Sequence, residues 1–159
     1  MFVRYYLELP VPVEQVREAL LRAPHDWMPG LAEDVEQRTE HLLVEVGFGS
    51  TGCRMGKRVK VELGRPFLLP SKTVLPLTWR ATGAESLFPS LEADLEVAPL
   101  SRTRTQLSVS ARYRPPLGPL GRAIDKTLLH RVAEATIKDF LDRIGDAIRA
   151  RILSPAAGG

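Results

Sequence analysis

The sequence predicts an α+β domain in which a curved antiparallel sheet of about six or seven strands wraps around one long C-terminal helix. Three observations lead there. Almost every strand-like run alternates apolar and polar residues, the apolar period changes from 2 to 3.6 near residue 119, and only one or two short helices follow the first strand. Period-2 alternation gives a strand one dry face, and a 3.6-residue period gives a helix one dry stripe. Several half-dry strands and a single half-dry helix bury most when the sheet curls round the helix. That arrangement leaves room for a hollow between them, a natural place for an apolar ligand.

The first run, Phe2 to Leu9, places Val3, Tyr5, Leu7 and Leu9 on one face and Arg4, Tyr6 and Glu8 on the other. Pro10 and Pro12 close it. A proline is tolerated in a first helical turn and Glu14 adds favourable negative charge there, so the spacing of Val13, Val16, Leu20 and Leu21 predicts a helix over 12–22, ended by Pro24. His25 to Leu31 reads as a short irregular or helical segment anchored by Trp27. Alternation predicts strands over His41–Phe48 and Gly56–Leu63, joined by a turn rich in glycine at 47–52. A strand over Lys72–Arg80 contains Pro76, which points to an edge position or a bulge. Leu91–Val97 and Thr103–Tyr113 alternate most strictly.

After Tyr113 the chain turns a stiff corner at Pro115, Pro116 and Pro119. Leu129, Val132, Ala133, Thr136, Ile137, Phe140, Ile144, Ala147 and Ile148 then form one apolar stripe opposite Arg131, Glu134, Lys138, Asp142 and Arg149. The helix is expected over 119–152. Residues 1–152 read as one domain, with 153–159 a small-residue disordered tail.

Composition narrows the function. The 159 residues are 44% hydrophobic and 26% charged, ordinary for a globular protein. The net charge is only +3, and the basic residues are dispersed. A nucleic-acid partner is not expected, since such a surface concentrates Lys and Arg with interleaved aromatics. Arg102, Arg104, Arg112 and Arg114 form one modest cluster, read as solvated strand faces rather than a polyanion site. Cys53 is the single cysteine, which excludes an intramolecular disulfide and a thiolate-rich zinc site. It reads as a passive turn residue. The N-terminus has no signal-peptide organisation and no apolar stretch is long enough to span a bilayer. The expectation is a cytoplasmic protein, monomer or homodimer.

Three segments resemble the START/Bet v 1-like superfamily, the polyketide cyclase/dehydrase and lipid transport (SRPBCC-type) group. Pro12-Val13-Glu14-Gln15-Val16 is similar to its helix start after the first strand. Trp27-Met28-Pro29-Gly30 stands where members often carry tryptophan, x, proline. Tyr113-Arg114-Pro115-Pro116-Leu117-Gly118-Pro119-Leu120-Gly121 leads into the long helix as in bacterial members. Together the likeness covers nearly the whole chain, and it implies a helix-grip fold. The function it implies is binding or transport of a small hydrophobic or amphipathic ligand (lipid, isoprenoid or polyketide-like aromatic) between sheet and helix. The group also contains polyketide cyclases and aromatases, and coenzyme-Q-binding or ribosome-associated partner-binding proteins.

The alternation then nominates the ligand-binding side chains: Tyr5, Trp79 and Tyr113 from the strands, Val132, Thr136 and Phe140 from the helix, and Trp27, Met28 and Phe88 over the mouth. Val44 and Val46 would also face inward. Cyclisation or dehydration needs inward groups that move protons, and the inward positions carry only the hydroxyls of Tyr5, Tyr113 and Thr136 and the indole of Trp79. No catalytic residue is therefore nominated and no cofactor is implied. His25, His41 and His130 lie far apart without metal-ligand spacing, so no metal site is expected. Loops at the mouth would contribute His25, Asp26, Arg54, Glu85 and Arg114 as its ionisable groups.

Overall fold

The computed structural model describes residues 1–45, 59–81, 90–114 and 126–154. The order is β1 (Phe2–Leu9), α1 (Val13–Leu21), α2 (Pro24–Glu45), β2 (Val59–Leu63), β3 (Phe67–Leu68), β4 (Thr73–Ala81), β5 (Ser90–Pro99), β6 (Thr105–Arg114) and α3 (Lys126–Leu153). The strands form one antiparallel sheet of six described strands in the order β1-β6-β5-β4-β2, with β3 also paired to β4. The long C-terminal helix lies against the inner face at β1 and β6, and α2 packs against both α3 and β2. The expected sheet and gripping helix are both present.

Strands β1, β4 and β5 bury alternate residues, as their sequences dictate, and β6 does so apart from the additional burial of Ser108. Val3 and Leu9 are buried and Tyr5 and Leu7 half-buried, while Phe2, Arg4, Tyr6 and Glu8 are exposed. Leu91, Ala93, Leu95 and Val97 point the same way from β5, and Leu107, Val109, Ala111 and Tyr113 from β6. The registers align these into transverse rows. One runs Val61, Trp79, Leu91, Tyr113; the next Leu63, Leu77, Ala93, Ala111, Val3; the next Leu75, Leu95, Val109, Tyr5. The helix meets them with Ala133, Ile137, Phe140, Leu141, Ile144 and Ile148, all fully buried. Where α3 crosses β1 the approach is close: a Cβ on Gly145 would lie 3.2 Å from Leu7 Cδ2.

The first helix starts where expected. Pro12 takes φ −59° ahead of it, and its carbonyl accepts from Gln15 N–H at 3.1 Å and Val16 N–H at 3.2 Å. Between α1 and α2 the chain reverses in one residue. Ala23 adopts φ 47°, the left-handed region that a Cβ disfavours, and its carbonyl then receives the Asp26 N–H at 3.0 Å.

Two expectations change. His41–Glu45 is not the start of a strand but the last part of the 22-residue α2, so Val44 belongs to a helix rather than to the inner sheet face. A short run such as Leu42-Leu43-Val44 fits either period. The decisive signal lies upstream, where Met28, Ala32 and Val35 recur at helical spacing and are buried on α2. Pro76 likewise lies at neither sheet edge. β4 pairs with β5 on one side, and on the other its partner changes from β3, opposite Thr73–Val74, to β2, opposite Leu77–Ala81. Pro76 sits in that gap, so its missing N–H breaks no ladder bond. Its carbonyl accepts from Gly64 N–H at 2.8 Å, and a Cβ on Gly64 would stand only 3.0 Å from the Pro76 ring. The turn at 47–52 with Val46, Phe48, Cys53 and Arg54, the residues Glu85 and Phe88, the 115–119 corner and the tail from 155 lie outside the described residues.

Candidate functional site: the inner wall between sheet and helix

The row at one end of the inner face carries the largest buried side chain among the described residues. Trp79 is 2% exposed and packs against Phe140 of α3, ring centroids 5.4 Å apart at 58°. Such a tilted arrangement sets the positive edge of one ring toward the face of the other. Tyr113, in the same row, is buried, as are Val132, Thr136 and Phe140 along one face of α3. Next to this row stand Ala93 and Ala111 side by side in register, where their neighbours are leucine and valine. Large aromatics flank a strip of methyl groups.

The wall is dry. Among the described residues the buried polar or charged ones are Thr73, Thr105, Ser108 and Thr136, with no carboxylate, histidine, lysine or arginine. Thr136 Oγ1 donates to Val132 O of its own helix at 2.8 Å, and Thr105 Oγ1 to Val11 O at 2.7 Å, tying β6 to the entry of α1. Four buried side-chain atoms find no hydrogen-bond partner among the described residues: Arg17 Nε, Trp27 Nε1, Thr73 Oγ1 and Trp79 Nε1. Of these, the Trp79 indole N–H lies on the inner wall beside Phe140. A buried donor left unpaired costs about 1–3 kcal/mol.

The nominated residues do not all assemble. Trp79, Tyr113, Val132, Thr136 and Phe140 are buried between the sheet and the first half of α3. Tyr5 is half-buried at the β1 rim, with Lys138 Nζ 5.5 Å from its ring centre. That ammonium is hydrogen-bonded to Asp142 Oδ2 at 2.6 Å, and its pKa is raised, first by the Asp142 hydrogen bond and charge and then by Tyr5. Met28 is fully buried in the core on α2. Trp27 is half-buried beneath the Arg151 guanidinium, 5.2 Å from its ring centre. The α3 partners of Trp79 and Trp27, Phe140 and Arg151, are eleven residues apart, roughly 16 Å along the helix axis. Arg143 binds Asp139 Oδ2 at 3.2 Å and Asp34 Oδ2 of α2 at 3.0 Å, fixing the two helices together. The sequence reading missed that link, since nothing local relates residues 34 and 143.

The outer face of the same sheet is a ladder of ion pairs: Arg104 with Glu8, Lys72 with Glu96 at 3.1 Å, Arg114 with Glu92 at 3.7 Å, and Lys60 with Glu62 at 2.8 Å. The Lys60 hydrogen bond and charge hold the Glu62 carboxyl below its ordinary pKa. Two members of the arginine cluster thus neutralise carboxylates on the solvated face. Among the described residues no group of three or more His, Cys, Asp and Glu converges as a metal site, and no described helix is long and apolar enough to cross a membrane.

No family model matches the sequence, and no curated protein matches it. Solved structures do. A conserved protein from Geobacillus kaustophilus is 16% identical, with 95% of this chain and 97% of that one covered and a TM-score of 0.55. This chain has a helix-grip fold. Other helix-grip structures it matches include the Zhui aromatase/cyclase from a Streptomyces species, 14% identical over 100% of this chain and 98% of that one, with a TM-score of 0.49. Norcoclaurine synthase from Thalictrum flavum, at 15% identity over 89% and 87% and a TM-score of 0.32, is another. At these identities the likeness concerns the fold, and the site has to be argued from its own residues.

Proposed function

We propose that this helix-grip protein binds a small apolar or amphipathic molecule between the inner face of the sheet and α3, with the Trp79 Nε1–H donating to an oxygen acceptor on it. The observation that carries the reading is the buried Trp79 indole donor, without an acceptor among the described residues, in a wall built mostly of apolar side chains. Apolar burial, at about 25 cal/mol per Å², supplies affinity, and one placed donor supplies orientation. Ala93 and Ala111 beside the Trp79 row hold back side-chain volume where a ligand would lie. An aromatase- or cyclase-type reaction needs an inward acid or base, and among the described residues no Asp, Glu, His or Lys is buried. Binding is therefore the preferred reading. The ligand class is a lipid, isoprenoid or polyketide-like aromatic bearing a carbonyl or ether oxygen.

Trp79 is packed too deeply for truncation to alanine to report on a ligand alone. Trp79→Phe removes the donor and keeps most of the ring. Titration with a medium-chain ketone and with the alkane of equal length is expected to show that the wild type prefers the ketone and that Trp79→Phe binds the two alike. Equal preference in both proteins would remove the indole from the site. Native mass spectrometry of protein purified without lipid stripping addresses the wider reading: a co-purified apolar compound supports it, and a bare chain unchanged by a lipid library sinks it.

A further inference from the structure

The end of the sheet away from Trp79 carries an apolar surface that the ligand reading does not use. Two neighbouring hairpins end there. The β3–β4 turn is closed by Leu69 N–H to Lys72 O at 2.9 Å, and the β5–β6 turn by Leu100 N–H to Arg104 O at 2.9 Å and Ser101 N–H to Arg104 O at 3.2 Å. Because Thr73 pairs with Val97, continuing that register past the strand ends brings Pro70 level with Leu100. The two tips lie side by side.

Their composition is unusual for solvent. Phe67, Leu68 and Leu69 are 57%, 68% and 48% exposed, and Leu100 is 47% exposed. Scattered exposed leucines are normal, but adjacent ones on paired tips form a patch. Pro66 and Pro70 bracket the three residues and restrict the backbone, so little order is lost when the patch is covered. The charge around it has one sign. Residues 64–72 and 98–105 contain Arg65, Lys72, Arg102 and Arg104 and no Asp or Glu. Lys72 and Arg104 are paired with Glu96 and Glu8 in the strands behind. Among the described residues Arg65 and Arg102 meet no carboxylate at ion-pair distance.

We infer that these two hairpin tips dock the protein on a bilayer surface rich in anionic headgroups. Phe67, Leu68, Leu69 and Leu100 enter the interface, and Arg65 and Arg102 meet the headgroups. Shallow apolar insertion and basic attraction are each weak alone and add when they act on one surface. A second copy of this chain is the poorer occupant, because two such tips would bring like charges together.

The test is cosedimentation of the full chain with phosphatidylcholine vesicles and with phosphatidylcholine–phosphatidylserine vesicles. Binding is expected on the anionic vesicles, with attenuation by salt as the Debye length shortens. Leu68→Glu/Leu69→Glu is expected to weaken it roughly tenfold or more, and Arg65→Glu/Arg102→Glu by a similar factor. Arg80→Glu/Arg112→Glu, which changes net charge equally but elsewhere on the sheet, should bind nearly as the wild type does. All the altered residues are exposed, and circular dichroism and melting verify each fold. Absence of binding to anionic vesicles overturns the inference. So does equal weakening by the two arginine pairs, which would reduce it to net charge. A dimer abolished by Leu68→Glu/Leu69→Glu would overturn it too, by making a second copy the occupant. None of these outcomes depends on the ligand reading.

Discussion

Strands β4, β5 and β6 present two faces built on opposite rules. Inward they show Leu75, Leu77 and Trp79, then Leu91, Ala93, Leu95 and Val97, then Leu107, Val109, Ala111 and Tyr113, almost without a polar atom. Outward, at the alternate positions, they show Arg80, Glu92, Asp94, Glu96, Arg112 and Arg114 among Val74, Pro76, Thr78, Gln106, Ser108 and Ser110. The backbone is the same, and only the pleat separates the faces by a residue. The inner face holds its free energy in packing, where each side chain touches many others and removal leaves a void. The outer face holds pairs of charges in water, where each gain is offset by hydration and side-chain entropy. Stability and any ligand site therefore reside on one face, and solubility on the other.

The largest break of this contrast is Ile137→Ala on the α3 stripe, a fully buried residue, expected to cost about 2–5 kcal/mol in urea unfolding. A loss no larger than that of an outer-face variant would mean that α3 is not gripped by the sheet. Ala93→Val comes next and sharpens the picture from within. In a filled wall the added methyl groups cost about 1–3 kcal/mol, whereas beside unfilled volume the cost falls below about 1 kcal/mol. The second outcome is expected, accompanied by weaker uptake of an apolar probe. On the outer face, Arg104→Ala opposite Glu8 is expected to cost about 0.2–1 kcal/mol at low salt and to approach nothing at high salt.

The smallest effect lies at the rim. Lys138 has its pKa raised in the folded state by Asp142 and Tyr5. A raised folded pKa stabilises below the unfolded value, and the contribution is lost as pH rises through the folded one. Stability should therefore fall slightly more steeply on the alkaline limb in the wild type than in Lys138→Met, read as melting temperature from pH 9 upward. Coincident limbs would show that the rim charge has no energetic role. Glu62, lowered by Lys60, has the opposite sign: its contribution is present above the ordinary carboxylate pKa and fades on acidification.

The same contrast explains what the sequence revealed. The paired strands β1, β4, β5 and β6 are legible because burial on one face writes an alternation that no helix would keep, and α3 is legible because its stripe persists over many turns. The His41–Glu45 segment misleads because its apolar run, Leu42-Leu43-Val44, carries too few periods to separate 2 from 3.6. Pro76 misleads because a central strand can change partners in mid-course, which sequence cannot show. Within the site, Trp79, Tyr113, Val132, Thr136 and Phe140 are legible as inward residues by parity. The separation of Trp27 from Trp79 along α3 is not, because it depends on where α2 packs.

The pairing of β1 with β6 carries a consequence for how the chain is made. The Met1 amino group donates to Tyr113 O at 3.0 Å and Tyr113 N–H to Met1 O at 2.8 Å, a contact across 112 positions of sequence. During synthesis β1 precedes its partner β6 by the whole stretch from α1 to β5, and α3, which covers its inner face, comes later still. For most of that time β1 is a solvent-facing strand with Val3, Tyr5, Leu7 and Leu9 uncovered, a segment that holdase chaperones would be expected to shield. Closing so long a loop is slow because its entropy is lost before the contact rewards it. Refolding is accordingly expected on a timescale of milliseconds to seconds, limited by the meeting of β1 with β6.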